Sequence, residues 1–165
     1  MKKFIKELSP YIIIILVVVS LRTFIATPVI VNGDSMIPTL KNNQILLLNK
    51  IDYRINDIER FDVVVIKVNK YEIIKRVIGL PGETIEYRDN ILYINGHEVE
   101  NDYNFDTEDF TMKDICKCDT IPQGKYLVLG DNRAVSSDSR IIGFIDEHDI
   151  KGKVNISLWP LKKVN

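Results

Sequence analysis

Three short segments carry residue types that could do nucleophilic chemistry. The first is GDSMIPTL at residues 33–40. Gly33 allows backbone angles closed to other residues, and a turn there would present the Ser35 hydroxyl beside its own amide N–H. Such a pairing suits attack on a carbonyl, with the amide facing the oxyanion that develops. The same residues also make an ordinary polar turn.

The second segment is YEIIKRVIGLPGE at residues 71–83. Alternate side chains of a strand share a face. Lys75 then goes with Ile73 and Val77, and Arg76 with Ile74 and Ile78. One of the two cations is set among apolar neighbours, unless this is an edge strand and both charges reach water. Burial lowers a lysine pKa from about 10.4 toward neutrality, and a neutral amine is a competent general base. Arginine stays protonated. A base in this segment is therefore Lys75.

The third is GDNRAVSSDSRIIGF at residues 130–144. Asp138 and Arg140 could form a charge-assisted pair that holds a loop. Ser136 could hydrogen-bond a lysine amine and orient it. A solvated loop is the plain alternative. A calcium loop needs several regularly spaced carboxylates, and Asp131, Asn132 and Asp138 do not supply them.

Other chemistries lack their residues. The two histidines, His97 and His148, lie outside the three segments, so nothing points to a Ser-His-Asp triad. There is no HExxH pair, phosphate loop or dinucleotide fingerprint. The two cysteines, Cys116 and Cys118, would point to opposite faces of an extended strand. They read as free thiols, with a local disulfide or a metal site as alternatives. Without histidine at ligand spacing they make a poor zinc site. No metal and no cofactor is expected.

These segments need elements to position them. Residues 10–21 read PYIIIILVVVSL, with no charge between Glu7 and Arg22. A membrane span takes roughly 20 apolar residues. This run is shorter, but Arg22 can snorkel to the interface. Lys2, Lys3 and Lys6 precede it, which places the N-terminus in the cytoplasm. A cleaved signal peptide is the rival, but TFIATP offers no Ala-x-Ala site and contains Pro28. Residues 1–27 are expected to be a cytoplasmic start and single transmembrane helix, with residues 28–165 extracytoplasmic.

Beyond residue 28, β-branched runs such as QILLL, FDVVVIKV, TIEYR, ILYI and KYLVLG alternate with turn signals. Asn95-Gly96 reads as a two-residue hairpin turn, and LPGE and IPQG as Pro-Gly turns. The expected fold is mostly β: an antiparallel, barrel-like sheet, with residues 83–125 as a possible hairpin or loop subdomain. A length of 165 residues and 45% hydrophobic content suit one such domain. The net charge of −1 gives no basic face for nucleic acid.

Taken in this order behind an apolar start, the segments closely resemble bacterial type I signal peptidases. These are membrane-bound endopeptidases with a serine–lysine dyad, and the short chain resembles the compact Gram-positive form. GDSMIPTL is similar to the nucleophile box, FDVVVIK at 61–67 to the strand box, IIKRVIGLPGE to the lysine box, and LGDNRAVSSDSRIIGF to the third signature. The resemblance implies Ser35 as nucleophile and Lys75 as general base. Ser136 would position the lysine, and Asp138 and Arg140 would form a supporting ion pair. Met36, Leu40, Ile73 and Ile74, with Val29 and Val31 more loosely, would line shallow pockets for small side chains. It also implies cleavage after small residues of an Ala-x-Ala type site through an acyl-enzyme. The implied partners are secretory preproteins and the lipid bilayer, near the secretion translocon and without nucleic acid. Two positions depart from the pattern. Gly33 stands where some members carry a serine oxyanion donor, and Phe61 where glycine often opens the strand box. A non-enzymatic membrane-anchored β-domain, an inactive paralogue and a self-cleaving repressor are the rival readings. The last would need an N-terminal DNA-binding helix-turn-helix.

Overall fold

The computed structural model describes residues 2–51, 56–100 and 105–164. Helix α1, Lys2–Phe24, carries the apolar run. Its residues 12–19 are each between 50% and 61% exposed, on every side of the helix. Nothing else in the described chain covers them. The apolar stretch of residues 10–21 is about 18 Å long at 1.5 Å per residue, against a hydrocarbon core of about 30 Å. No helix among the described residues is long and apolar enough to cross a membrane. The apolar length of α1 does not by itself establish the span expected within residues 1–27.

Short β-branched runs form the rest, because such side chains pack well on a half-buried pleated surface. The strands are β1 (Ala26–Ile30), β2 (Ile45–Asn49), β3 (Val63–Val68), β4 (Tyr71–Gly79), β5 (Ile85–Arg88) and β6 (Ile91–Ile94). They continue with β7 (His97–Glu98), β8 (Phe110–Thr111), β9 (Lys125–Leu129), β10 (Ile145–Asp146), β11 (Ile150–Trp159) and β12 (Leu161–Lys163). Two four-residue helices, α2 (Met112–Ile115) and α3 (Ser139–Ile142), interrupt them. The strand pairs are antiparallel.

The larger sheet has eight strands in the order β1-β2-β11-β3-β4-β9-β10, with β12 added to β11. This path is open, which corrects the expectation of a barrel-like closure. The ends explain why. Edge strand β1 contains Pro28, which has no N–H to extend the ladder, and β10 is only two residues long. The chain between β4 and β9 does not close the sheet either. It folds into a second sheet of four strands, β7-β6-β5-β8.

That second sheet rests on two tight turns. Asn95 and Gly96, with φ of 51° and 80°, join β6 to β7. Asp89 and Asn90, at 51° and 65°, do the same for β5 and β6. Both match the positive-φ turn that suits the strand twist. Cys116 and Cys118 are joined in a disulfide, not free. The strand geometry that would part them does not apply: the chain bends at Lys117, just past α2.

Strand β4 is the key to the site. It lies between β3 and β9, with Lys75 opposite Val64 and Arg76 opposite both Val63 and Leu129. It is not an edge strand, and both cations are buried, at 3% and 0% exposure. Each must therefore be hydrogen-bonded, paired or discharged.

Candidate active site

The chain leaves β1 through Val31, whose N–H donates to the Gln44 carbonyl, and enters the turn at Gly33. Gly33 has φ of 94°, a left-handed angle that favours glycine. Its N–H donates to Asn42 Oδ1 at 3.0 Å. Met36 and Leu40, at 1% and 0% exposure, root the turn in a core cluster with Leu46, Val63 and Val154. Ser35 stays half-buried above that root.

Lys75 Nζ lies 2.8 Å from Ser35 Oγ. Burial pushes the lysine below its ordinary value of 10.5. The negative charges of Asp138 and Asp131 oppose that shift, Arg140 adds to it, and the net direction is down. The arrangement holds an amine, biased toward its neutral form, within proton-transfer reach of a hydroxyl.

The third segment supports this pair from behind. Gly130 sits against both Ser136 and Ser35, and a Cβ there would overlap Ser136 Oγ and the Ser35 carbonyl oxygen. The Gly130 N–H donates to Asp138 Oδ2 at 3.0 Å. Arg140 donates to both Asp138 oxygens, from Nε at 2.9 Å and Nη2 at 3.0 Å. Burial alone would raise the Asp138 carboxyl. Hydrogen bonds from Arg140 and the Gly130 amide, with the nearby Ser136 hydroxyl and the Arg140 charge, outweigh it and hold the carboxyl below its ordinary value. Ser136 is buried, and its Oγ makes no hydrogen bond of normal geometry among the described residues, including none to Lys75. It is nonetheless near enough to Asp138 to help depress that carboxyl.

The turn is also tied to residues that the local sequence pattern did not single out. Asn132 donates its backbone N–H to the Ser35 carbonyl at 3.0 Å and its side-chain amide to the Asp34 carbonyl at 3.1 Å. Arg76 donates to Asp131 from Nε at 2.8 Å and from Nη2 at 2.7 Å. Arg76 Nη2 also reaches Thr39 Oγ1, and its Nη1 reaches the Phe61 carbonyl at 2.9 Å. Phe61 itself has φ of 70°, unusual for a bulky residue, at the position where the resemblance calls for glycine. The one available signal for Asp131 was chemical: a buried Arg76 needs an acid, and GDN follows β9 directly.

The pocket candidates divide. Val29 and Ile74 are partly buried against the cluster that holds Val31, Met36 and Leu40. Ile73 packs instead on a second cluster with Val64, Ile66 and Val77. A cleft of about 370 Å³ opens beside Ser136 and Arg140 and is lined also by Arg133 and Ile141. Among the described residues, Asp146, His148 and Asp149 form one group with metal-ligand spacing. It lies outside all three segments, and Lys125 already pairs with Asp146 at 2.7 Å.

The family model described as "Signal peptidase, peptidase S26" matches residues 2–159. The chain belongs to the signal peptidase family. Signal peptidase I of Bacillus caldolyticus is 41% identical, over 93% of this chain and 91% of that protein. Signal peptidase IB of Staphylococcus aureus strain Mu50 is also 41% identical, over 96% of this chain and 93% of its own. The crystal structure of a signal peptidase I from Enterococcus faecalis V583 matches with a TM-score of 0.56 and 40% identity. The match spans 59% of this chain and 97% of that one. As a member of the signal peptidase family, the chain is a hydrolase of the peptidase class.

Proposed function

We propose that the protein is a membrane-bound serine endopeptidase that removes N-terminal signal peptides from secretory preproteins by a Ser35–Lys75 dyad. The 2.8 Å approach of a buried, pKa-lowered Lys75 to Ser35, in a chain of this family, carries the reading. The preprotein lies extended along a strand edge, where backbone pairing supplies affinity. Small residues at the −1 and −3 positions enter shallow pockets on the cluster of Val29, Val31, Met36, Leu40 and Ile74, which sets cleavage after Ala-x-Ala type sites.

Neutral Lys75 takes the Ser35 proton as Oγ attacks the scissile carbonyl. The tetrahedral oxyanion is met by the Ser35 amide. Collapse expels the new amine of the mature protein, with the proton returned from Lys75, and leaves an acyl-enzyme. Lys75 then activates water, which releases the signal peptide as a carboxylate. Ser136, whose Oγ is buried beside Gly130 with no bond of its own among the described residues, turns that oxygen to Lys75 during these transfers, and the Asp138–Arg140 pair holds the loop that carries Ser136.

Residues 1–27 serve as the cytoplasmic start and single anchor, and residues 28–165 as the extracytoplasmic catalytic domain, with 83–125 as a subdomain. The uncovered apolar surface of α1 supports this, and Arg22 and the lysines near the start extend its usable length by snorkelling. The anchor keeps Ser35 at the outer membrane surface near the translocon, where signal peptides emerge.

The test is preprotein cleavage by the detergent-solubilised chain, with Ser35→Ala alongside and products read by mass. One cut after a small residue, absent in the variant, is the expected result. Folded wild type that cuts none of several preproteins would overturn the proposal.

A further inference from the structure

The Gly33 N–H donates to Asn42 Oδ1 and so is not available to an oxyanion. No hydrogen bond among the described residues takes up the N–H of Ser35. That amide is free, and its direction matters because an oxyanion donor works only when aimed at the developing charge.

A peptide unit is planar and trans, so its carbonyl and its N–H point in opposite directions. The Asp34 carbonyl and the Ser35 N–H belong to one such unit. Asn132 Nδ2 holds that carbonyl at 3.1 Å from across the fold, and the Ile37 N–H of the same turn donates to it at 3.2 Å. The next unit contains the Ser35 carbonyl, held by the Asn132 backbone N–H at 3.0 Å. Asn132, 98 positions away in sequence from Asp34, thereby contacts both planes that flank the Ser35 Cα, and is the long-range tie on each.

We infer that Asn132 is a positioning residue: its side-chain amide, by holding the Asp34 carbonyl, aims the Ser35 N–H at the oxyanion. The inference rests on the reading of Ser35 as nucleophile. It assigns Asn132 a part in stabilising the transition state, with no part in proton transfer and none in holding the substrate. Only the Nδ2 donor is at issue, since the Asn132 backbone bond to Ser35 and the Ile37 bond to Asp34 survive substitution of the side chain by Ala or Asp.

The experiment compares wild type, Asn132→Ala and Asn132→Asp as full-length chains in detergent. Asn132→Asp keeps the shape but puts a carboxylate oxygen where the donor was. It decides the matter should Asn132→Ala fold poorly. Three quantities are read: kcat and KM on a preprotein, the affinity of a peptide boronate that forms a tetrahedral adduct on Ser35, and the affinity of a non-cleavable substrate peptide.

Losing a well-placed oxyanion donor costs about 100-fold or more, and losing its aim about 10- to 100-fold. Both variants should therefore show kcat down by about 10- to 100-fold with KM unchanged, and boronate affinity down by a similar factor. Peptide affinity should stay at wild-type values in both, as should the acid limb of the pH profile in Asn132→Ala; the added carboxylate of Asn132→Asp should move that limb to higher pH, as the charges of Asp131 and Asp138 do. A purely structural role would weaken peptide and boronate together. That result, or wild-type boronate affinity in both variants, overturns the inference. A wild type that binds boronate through Ser35 but cuts no preprotein sinks the proposed substrate and leaves the boronate comparison to judge Asn132. A wild type that forms no adduct removes Ser35 as nucleophile, and the role of Asn132 with it.

Discussion

Arg76 and Asp131, both sealed from solvent, are joined by two parallel hydrogen bonds of 2.8 and 2.7 Å. The pair ties the middle of β4 to the loop after β9. It lies one residue from Lys75 and one from Asn132, so it sets the frame in which base and nucleophile meet. The planar guanidinium suits this job, since it matches a carboxylate with both ends engaged. Breaking such a buried pair leaves an unpaired charge. Arg76→Met or Asp131→Asn should each cost about 3–5 kcal/mol, read by chemical denaturation of the solubilised chain. A loss within the range of ordinary surface substitutions would contradict this role.

Ser35→Ala and Lys75→Ala should each abolish preprotein cleavage while the thermal unfolding midpoint stays near wild type. A general base contributes about 100- to 10,000-fold, and the nucleophile at least as much. Cleavage needs the neutral amine, so the rate should rise with pH through the Lys75 pKa and fall on the acid side. Burial places that limb below the ordinary lysine value of 10.5. A rate that stays flat down to about pH 5 would exclude a lysine base.

The charge of Asp138 raises the Lys75 pKa, whereas Arg140 lowers it. Asp138→Asn should therefore move the acid limb of the pH profile to lower pH, in addition to any loss of kcat. Stability depends on the same carboxyl in another way. The folded Asp138 pKa lies below the ordinary 3.8. Its contribution is fully present above that value and is lost as pH falls through the folded pKa. Acid unfolding curves should show this loss in wild type and lack it in Asp138→Asn.

The Cys116–Cys118 disulfide closes a loop with a sequence separation of only two. So short a loop removes little entropy from the unfolded chain, under about 2 kcal/mol. Reduction should lower the unfolding midpoint only slightly and leave preprotein cleavage intact. Unfolding on reduction would show that the bond holds more than its own loop.

Helix α1 exposes apolar side chains on every side along residues 12–19. Surface of this kind is expected to partition into lipid. In cells the full chain should resist extraction from membranes at alkaline pH. Release into the soluble fraction would mean that the short apolar run does not anchor it.

Much of the fold was legible because β structure writes a local signal. FDVVVIKV and YEIIKRVIG read as strands from their branched side chains, and Asn95-Gly96 read as a turn because few other pairs accept those angles. The Asp89-Asn90 turn was harder, lacking a glycine. The open edge of the larger sheet and the bend at Lys117 depend on what lies beside each segment, and no local pattern encodes that. Phe61 is the sharpest case: nothing in its own identity announces a φ of 70°.

The order of residues alone determined the candidates. Serine on a glycine turn, lysine in an isoleucine-rich strand and a polar third segment limit the chemistry by type, since arginine cannot be the base and no histidine stands near. Only the tertiary structure decided which candidates meet. It put Lys75 on an inner strand, where lost hydration biases the amine toward its neutral form. It gave Arg76 its partner in Asp131, and it brought Asn132 across from the third segment to hold the turn. Those contacts join residues 40 to 98 positions apart. Side-chain hydrogen bonds between the turn after β1, strand β4 and the loop after β9 make them, and no stretch of neighbouring residues contains that information.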